Sequence, residues 1–130
     1  MISTFSGRGI HMKIYWVTLR VADLEKSVQF YTGFFGLEIA SRFGSPGHQI
    51  VMLGKENETK IELLYEMNVK VEDPGRGISI GLEVQQMEEL VKRLEDEGYN
   101  AVGPISPNPN LRFYFVKDPD GYTVQLVEQK

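Results

Sequence analysis

Two side chains capable of acid–base or ligand chemistry occupy matching places in two similar stretches of the chain. Glu62 lies in KIELLYE and Gln125 in TVQLVEQ, and both stretches alternate like strands. A carboxylate can act as a general base or bind a cation, whereas an amide offers a neutral oxygen and an N–H donor. We therefore interpret the two positions as parts of a candidate binding or catalytic site.

A third stretch, KIYWVTLRV, places further functional groups on one face of a predicted strand. Its apolar face suits packing against a helix, and the opposite face carries Trp16, Thr18 and Arg20. An indole can stack on a flat ligand or fill an interface. The guanidinium of Arg20 can bind an anionic ligand or neutralise a nearby acid such as Glu62 or Glu83, and both interpretations stay open.

These stretches belong to a repeated unit. Adding 63 to each residue number carries Leu19 onto Leu82, Trp16 onto Ser79, and GKENETKIELLYE onto KDPDGYTVQLVEQ. The offset is the same through strand, helix, turn and strand, which predicts two tandem β-α-β-β-β modules. Ser79 therefore joins the candidate site.

The repeat also predicts the fold class and the domain organisation. Modules at 13–66 and 77–128, joined by a polar linker, should form a single α+β domain over 13–130. Residues 1–12 are predicted to be a leader or disordered extension, because they are polar and lack periodicity. With one helix per module, the helices can cover only the outer face of a curved mixed sheet, and the other face should line a cleft or meet a partner.

The composition excludes several functional classes. The chain is 42% hydrophobic and 25% charged, with a net charge of -4, which argues against nucleic-acid binding. It has no cysteine for disulfides or thiolate metal sites and no apolar run long enough to span a bilayer. We expect a cytoplasmic protein with no membrane partner.

The stretches LRVADLEKSVQFYTGFFGLE, KIELLYE and FVKDPDGYTVQLVE carry a family resemblance. Together with the repeated module, they resemble the vicinal oxygen chelate superfamily of glyoxalases (lactoylglutathione lyases), bleomycin-resistance proteins and dioxygenases. The resemblance covers nearly all of the chain from residue 13 to residue 128. It implies tandem modules around a cleft, a small-molecule ligand and, in many members, a homodimer whose interface contains the sites.

The resemblance also implies a divalent metal held by two residues of each module. In glyoxalases these are usually His or Gln, Glu, His and Glu, and the matching positions are Trp16, Glu62, Ser79 and Gln125. Glu62 keeps a normal ligand, and Gln125 offers a neutral amide oxygen. The hydroxyl of Ser79 is a weak donor, and the indole of Trp16 has no lone pair to give. Because zinc, nickel and iron sites need three or four strong donors, we expect no metal and no other cofactor.

Two hypotheses about function follow. The first is a metal-free homodimeric protein that binds a small molecule in a cleft lined by Trp16, Thr18, Arg20, Glu62, Ser79 and Gln125. The alternative is a lyase or isomerase of the lactoylglutathione lyase type, with Glu62 as general base. The resemblance aligns Arg20 with an arginine that binds glutathione in glyoxalases. It also places Glu66 where those enzymes often have an Asn that contacts glutathione, which weakens the case for that substrate.

Overall fold

The sequence folds into two copies of the predicted module. The structure is a computed structural model that describes residues 12–75 and 77–130. The predicted leader falls mainly on residues 1–11, which lie outside the described residues. Neither of the two helices in the described part of the chain is long and apolar enough to cross a membrane.

The first module contains one helix among four strands. Alternating apolar residues form the strands, and recurring apolar residues at helical spacing form the helix. Its elements are β1 (Trp16–Arg20), α1 (Leu24–Gly33), β2 (Ile39–Ser45), β3 (His48–Leu53) and β4 (Lys60–Glu66).

The second module repeats that order. Its elements are β5 (Ser79–Glu83), α2 (Met87–Asp96), β6 (Val102–Asn108), β7 (Leu111–Lys117) and β8 (Thr123–Gln129). The α+β class and the tandem modules predicted from the repeat are confirmed, and each module forms its own four-stranded mixed sheet.

The two sheets share one topology. Their strand orders are β1-β4-β3-β2 and β5-β8-β7-β6, with β1 parallel to β4 and β5 parallel to β8. The register places Thr18 beside Glu62 in the first sheet and Gly81 beside Gln125 in the second. The offset found in the sequence is therefore preserved in the pairing of the strands.

The helices begin in different ways. At the start of α1, the side chain of Asp23 accepts a hydrogen bond from the Lys26 N–H at 3.1 Å, as an N-cap should. At the start of α2, Gln86 has a φ of 55° and makes no such cap. The second module thus lacks a local stabilising contact that the first has.

A buried hydrogen bond links the two modules. The hydroxyl of Tyr31, on α1, donates to Oδ2 of Asp118 at 2.7 Å. Oδ1 of Asp118 accepts the backbone N–H groups of Asp120 and Tyr122, each at 2.9 Å. Burial raises the pKa of the Asp118 carboxyl, and these hydrogen bonds offset part of that rise. The turn before β8 is therefore held against the helix of the other module.

Aromatic packing extends this junction. The ring of Tyr99 lies 5.0 Å from that of Phe30 and 5.6 Å from that of Phe34. The guanidinium of Arg93 lies over the Phe34 ring and donates to the carbonyl of Gly33 at 2.8 Å. The buried side chains of both modules consequently form one hydrophobic core.

Removing the Tyr31 hydroxyl should destabilise the fold. A hydrogen bond to a charged group contributes about 1.5–3 kcal/mol, so we expect Tyr31→Phe to lower the free energy of unfolding in urea by about that amount. The matched control is Tyr99→Phe, which also loses a hydroxyl but no hydrogen bond to the described residues, and should cost less than about 0.5 kcal/mol. Equal losses in the two variants would contradict this account of the junction.

Candidate functional site

The face of the first sheet that points away from α1 gathers four of the predicted site residues. Leu19 of β1 and Leu63 of β4 are buried towards the core, so their neighbours along each strand point the other way. That open face carries Trp16, Thr18 and Arg20 from β1 and Glu62 from β4. The indole of Trp16 is 45% exposed, which is unusual for so large an apolar side chain.

The carboxylate of Glu62 is oriented by its neighbour in the sheet. The hydroxyl of Thr18 donates to Oε1 of Glu62 at 2.5 Å, and strand register places the two residues side by side. Such a hydrogen bond fixes one carboxylate oxygen and leaves the charge in place. Glu62 is half-buried, and its other carboxylate oxygen accepts no hydrogen bond from the described residues.

Arg20 has a partner that the sequence did not identify. Its guanidinium pairs with Glu66, whereas the expected neutralising partners were Glu62 and Glu83. Glu66 also lies 3.9 Å from Nδ1 of His48. The alternation of side chains along β4 could have indicated this partner, because Glu66 points to the same face of the strand as Glu62.

Lys60 lies beside Trp16 in the register, but its ammonium group is turned into a loop. It donates to the carbonyls of Glu56 at 3.1 Å and Glu58 at 2.8 Å, and also to that of Lys55. These three acceptors match the three N–H donors of an ammonium group. Lys60 therefore stabilises the turn before β4.

A cleft of about 450 Å³ opens beside Trp16. Its apolar wall includes Ile39 and Met52, and Tyr15 packs against Trp16 with ring centroids 4.9 Å apart. The sequence did not indicate that Ile39 lines the cleft. An irregularity in the register between Ile39 and Ser41 changes which face of the sheet the residues of β2 point to. The cleft combines an exposed ring with soft apolar contacts, which is typical of small-molecule sites.

The second sheet has a related but smaller cleft. It measures about 280 Å³, and the offset carries Ile39, Met52, Gly54 and Lys60 of the first cleft onto its lining residues Val102, Phe115, Lys117 and Thr123. Beside it, Gly81 replaces Thr18, and a Cβ added there would stand 3.9 Å from the Gln125 amide oxygen. Gln125 is half-buried and Ser79 is exposed. The two clefts share a position but differ in chemistry.

The predicted residues form two groups. Trp16, Thr18, Arg20 and Glu62 lie together on the first sheet, and Ser79 and Gln125 lie on the second. Within the described part of the chain, no hydrogen bond joins the two groups; Trp16 alone of the six lines the first cleft, and none of the six lines the second. That all six residues line one cleft stays a prediction.

The donors at the four family positions do not fit a metal. Trp16 presents an indole, Ser79 an exposed hydroxyl and Gln125 a neutral amide, so Glu62 is the one strong donor of the set. Over residues 12–75 and 77–130, no three His, Asp or Glu side chains converge on a common point. These positions therefore lack the three or four strong donors that a zinc, nickel or iron site needs.

Comparison with known proteins is consistent with this architecture. Lactoylglutathione lyase of Salmonella typhimurium is 32% identical over 128 residues, covering 92% of this chain and 94% of that protein. The trypanothione-dependent glyoxalase I of Leishmania major superposes with a TM-score of 0.77 at 25% identity, covering 91% of this chain and 87% of that one.

A second solved structure shows the same fold at lower identity. The antibiotic binding protein TnmS3 of Streptomyces sp. CB03234 has a TM-score of 0.69 at 19% identity, covering 93% of this chain and 98% of that one. The family model for the glyoxalase/bleomycin resistance protein/dioxygenase superfamily matches residues 13–126. With nearly the whole chain matched, the protein belongs to that superfamily.

Proposed function

We propose that this protein binds a small molecule in the cleft beside Trp16 and does so without a metal. The observation that carries the proposal is Trp16 itself. It occupies a position where the superfamily resemblance calls for a metal ligand, and its ring stands 45% exposed on a cleft wall. A flat apolar surface in place of a donor favours stacking of a ligand over coordination of an ion.

The proposal includes a homodimer. β1 and β5 each lie at an edge of their sheet, and unpaired edges next to apolar surface favour association with another chain. A partner copy could also bring Ser79 and Gln125 of one chain to the open face of the other. Several apolar side chains are exposed in the single chain: Trp16 and Val17 on β1, Ile78 just before β5, and Ile39, Phe43, Val102 and Ile105 on the opposite edge strands β2 and β6.

The proposed homodimer can be tested by its mass. Light scattering should give the mass of two chains of 14.8 kDa each. Ile78 is 67% exposed in the single chain, so Ile78→Asp should shift the mass to that of one chain with little loss of monomer stability. Lys26→Asp, on the exposed side of α1, is the control and should remain dimeric. A wild-type protein with the mass of a single chain would overturn the dimer.

The second candidate function is a lyase of the lactoylglutathione type. It is favoured by relatives of that name at 30–32% identity and by the oriented carboxylate of Glu62. In that reaction Glu62 would remove a proton next to a carbonyl, and Arg20 would stabilise the resulting enediolate. The ion pair between Arg20 and Glu66 weighs against this, because it already neutralises the guanidinium.

Two measurements separate the candidates. We expect no lactoylglutathione formation by the wild type, with or without added Ni²⁺ or Zn²⁺, and the same result for Glu62→Gln. Because Trp16 is the single tryptophan of the chain, its fluorescence should report binding when a library of small aromatic compounds is titrated. Turnover that is present in the wild type, lost in Glu62→Gln and kept in Glu95→Gln on the exposed side of α2 would establish the lyase instead.

A further inference from the structure

The charges around the cleft beside Trp16 indicate what kind of ligand it accepts. Lys55 and Lys60 line the cleft, and Arg20 lies farther along β1; the side chains of Lys60 and Arg20 are engaged elsewhere. The ammonium of Lys60 is held by three backbone carbonyls of the preceding turn. Its donors are thereby used, and Lys60 offers none to a ligand.

Arg20 is neutralised in a separate cluster. Its guanidinium pairs with Glu66, and Glu66 is also approached by the imidazole of His48 at 3.9 Å. An ion pair cancels most of the field of its two members at a distance. Glu66 and Arg20 therefore leave little net charge at the far end of the face.

Glu62 is in the opposite situation. It accepts a hydrogen bond from the neutral hydroxyl of Thr18, and among the described residues no lysine, arginine or histidine forms an ion pair with it. Glu62 does not itself line the cleft, but the strand register places it beside Met52, which does, and its half-buried carboxylate shares the open face with Trp16. A partly buried charge without a counter-ion favours a ligand of opposite sign.

The charged side chains that line the cleft balance, with Glu38 and Glu56 against Lys55 and Lys60, because the hydrogen bonds of the Lys60 ammonium leave its charge in place. The bias towards a cation therefore comes from Glu62 and from the net charge of -4 of the whole chain, which raises the local concentration of cations.

The apolar wall specifies the rest of the ligand. The exposed indole of Trp16 is the best side chain for holding a cation over its face, and it also stacks on flat rings. Met52 and Ile39 offer soft contacts beside it. From these contacts we propose that the protein binds an arylalkylamine in its protonated form, with the ring in the cleft against Trp16 and the ammonium at the adjoining Glu62. This rests on the proposed binding function and names its ligand class.

Three probes with one ring and different charges test the assignment. They are phenethylamine (cationic), 2-phenylethanol (neutral) and 3-phenylpropionate (anionic), each titrated while the fluorescence of Trp16 is followed. We expect the amine to bind at least about tenfold more tightly than the alcohol, as a desolvated cation contact predicts. Glu62→Gln should remove that preference and leave the affinity for 2-phenylethanol within about twofold. Glu95→Gln should change neither value.

Other outcomes overturn the ligand class. Equal binding of the amine and the alcohol, tighter binding of 3-phenylpropionate, or no response to any of the three up to about 10 mM would each do so. A preference for the amine that persists in Glu62→Gln would also overturn the ligand class. If any of these results is obtained but another member of the aromatic library binds, the proposed small-molecule binding function stands and only the ligand class is wrong. Lactoylglutathione turnover that depends on Glu62 would instead overturn the proposed binding function.

Discussion

Each module of this protein has a single helix for a four-stranded sheet, and the arrangement of the candidate site depends on that constraint. A helix can cover only one face, so the opposite face of each sheet has no partner within its own module. The first module leaves Trp16 and Glu62 on such a face. The buried hydrogen bond between Tyr31 and Asp118 then fixes the two modules to one core, which leaves the open faces free for a ligand or a second copy.

Duplication explains why the two open faces match in geometry and differ in chemistry. Strand register places Thr18 beside Glu62 and Gly81 beside Gln125, so each module presents one central polar side chain on its last strand. In the first module a hydroxyl orients a carboxylate, and in the second a glycine leaves space next to a neutral amide. The two modules therefore present corresponding positions with different charges.

The sequence predicted the features that depend on local pattern. The repeat placed Trp16, Thr18 and Glu62 on a common face, because strand alternation and the module offset are local properties. It did not predict that Arg20 pairs with Glu66 or that Lys60 folds back into its own turn, since both depend on which rotamer each long side chain adopts. The lining of the cleft by Ile39 was also missed, because one irregularity in β2 reverses the parity of that strand.

We infer that the superfamily position of the metal persists here as a site whose donors do not suit a metal. Metal content after incubation with excess Ni²⁺ or Zn²⁺ and desalting, measured by plasma mass spectrometry, tests it most directly. The wild type should retain far less than one ion per chain. The combined variant Trp16→His, Ser79→His, Gln125→Glu should retain about one, and should lose it when Glu62→Gln is added. About one ion per chain in the wild-type protein, lost in Glu62→Gln, would contradict the account.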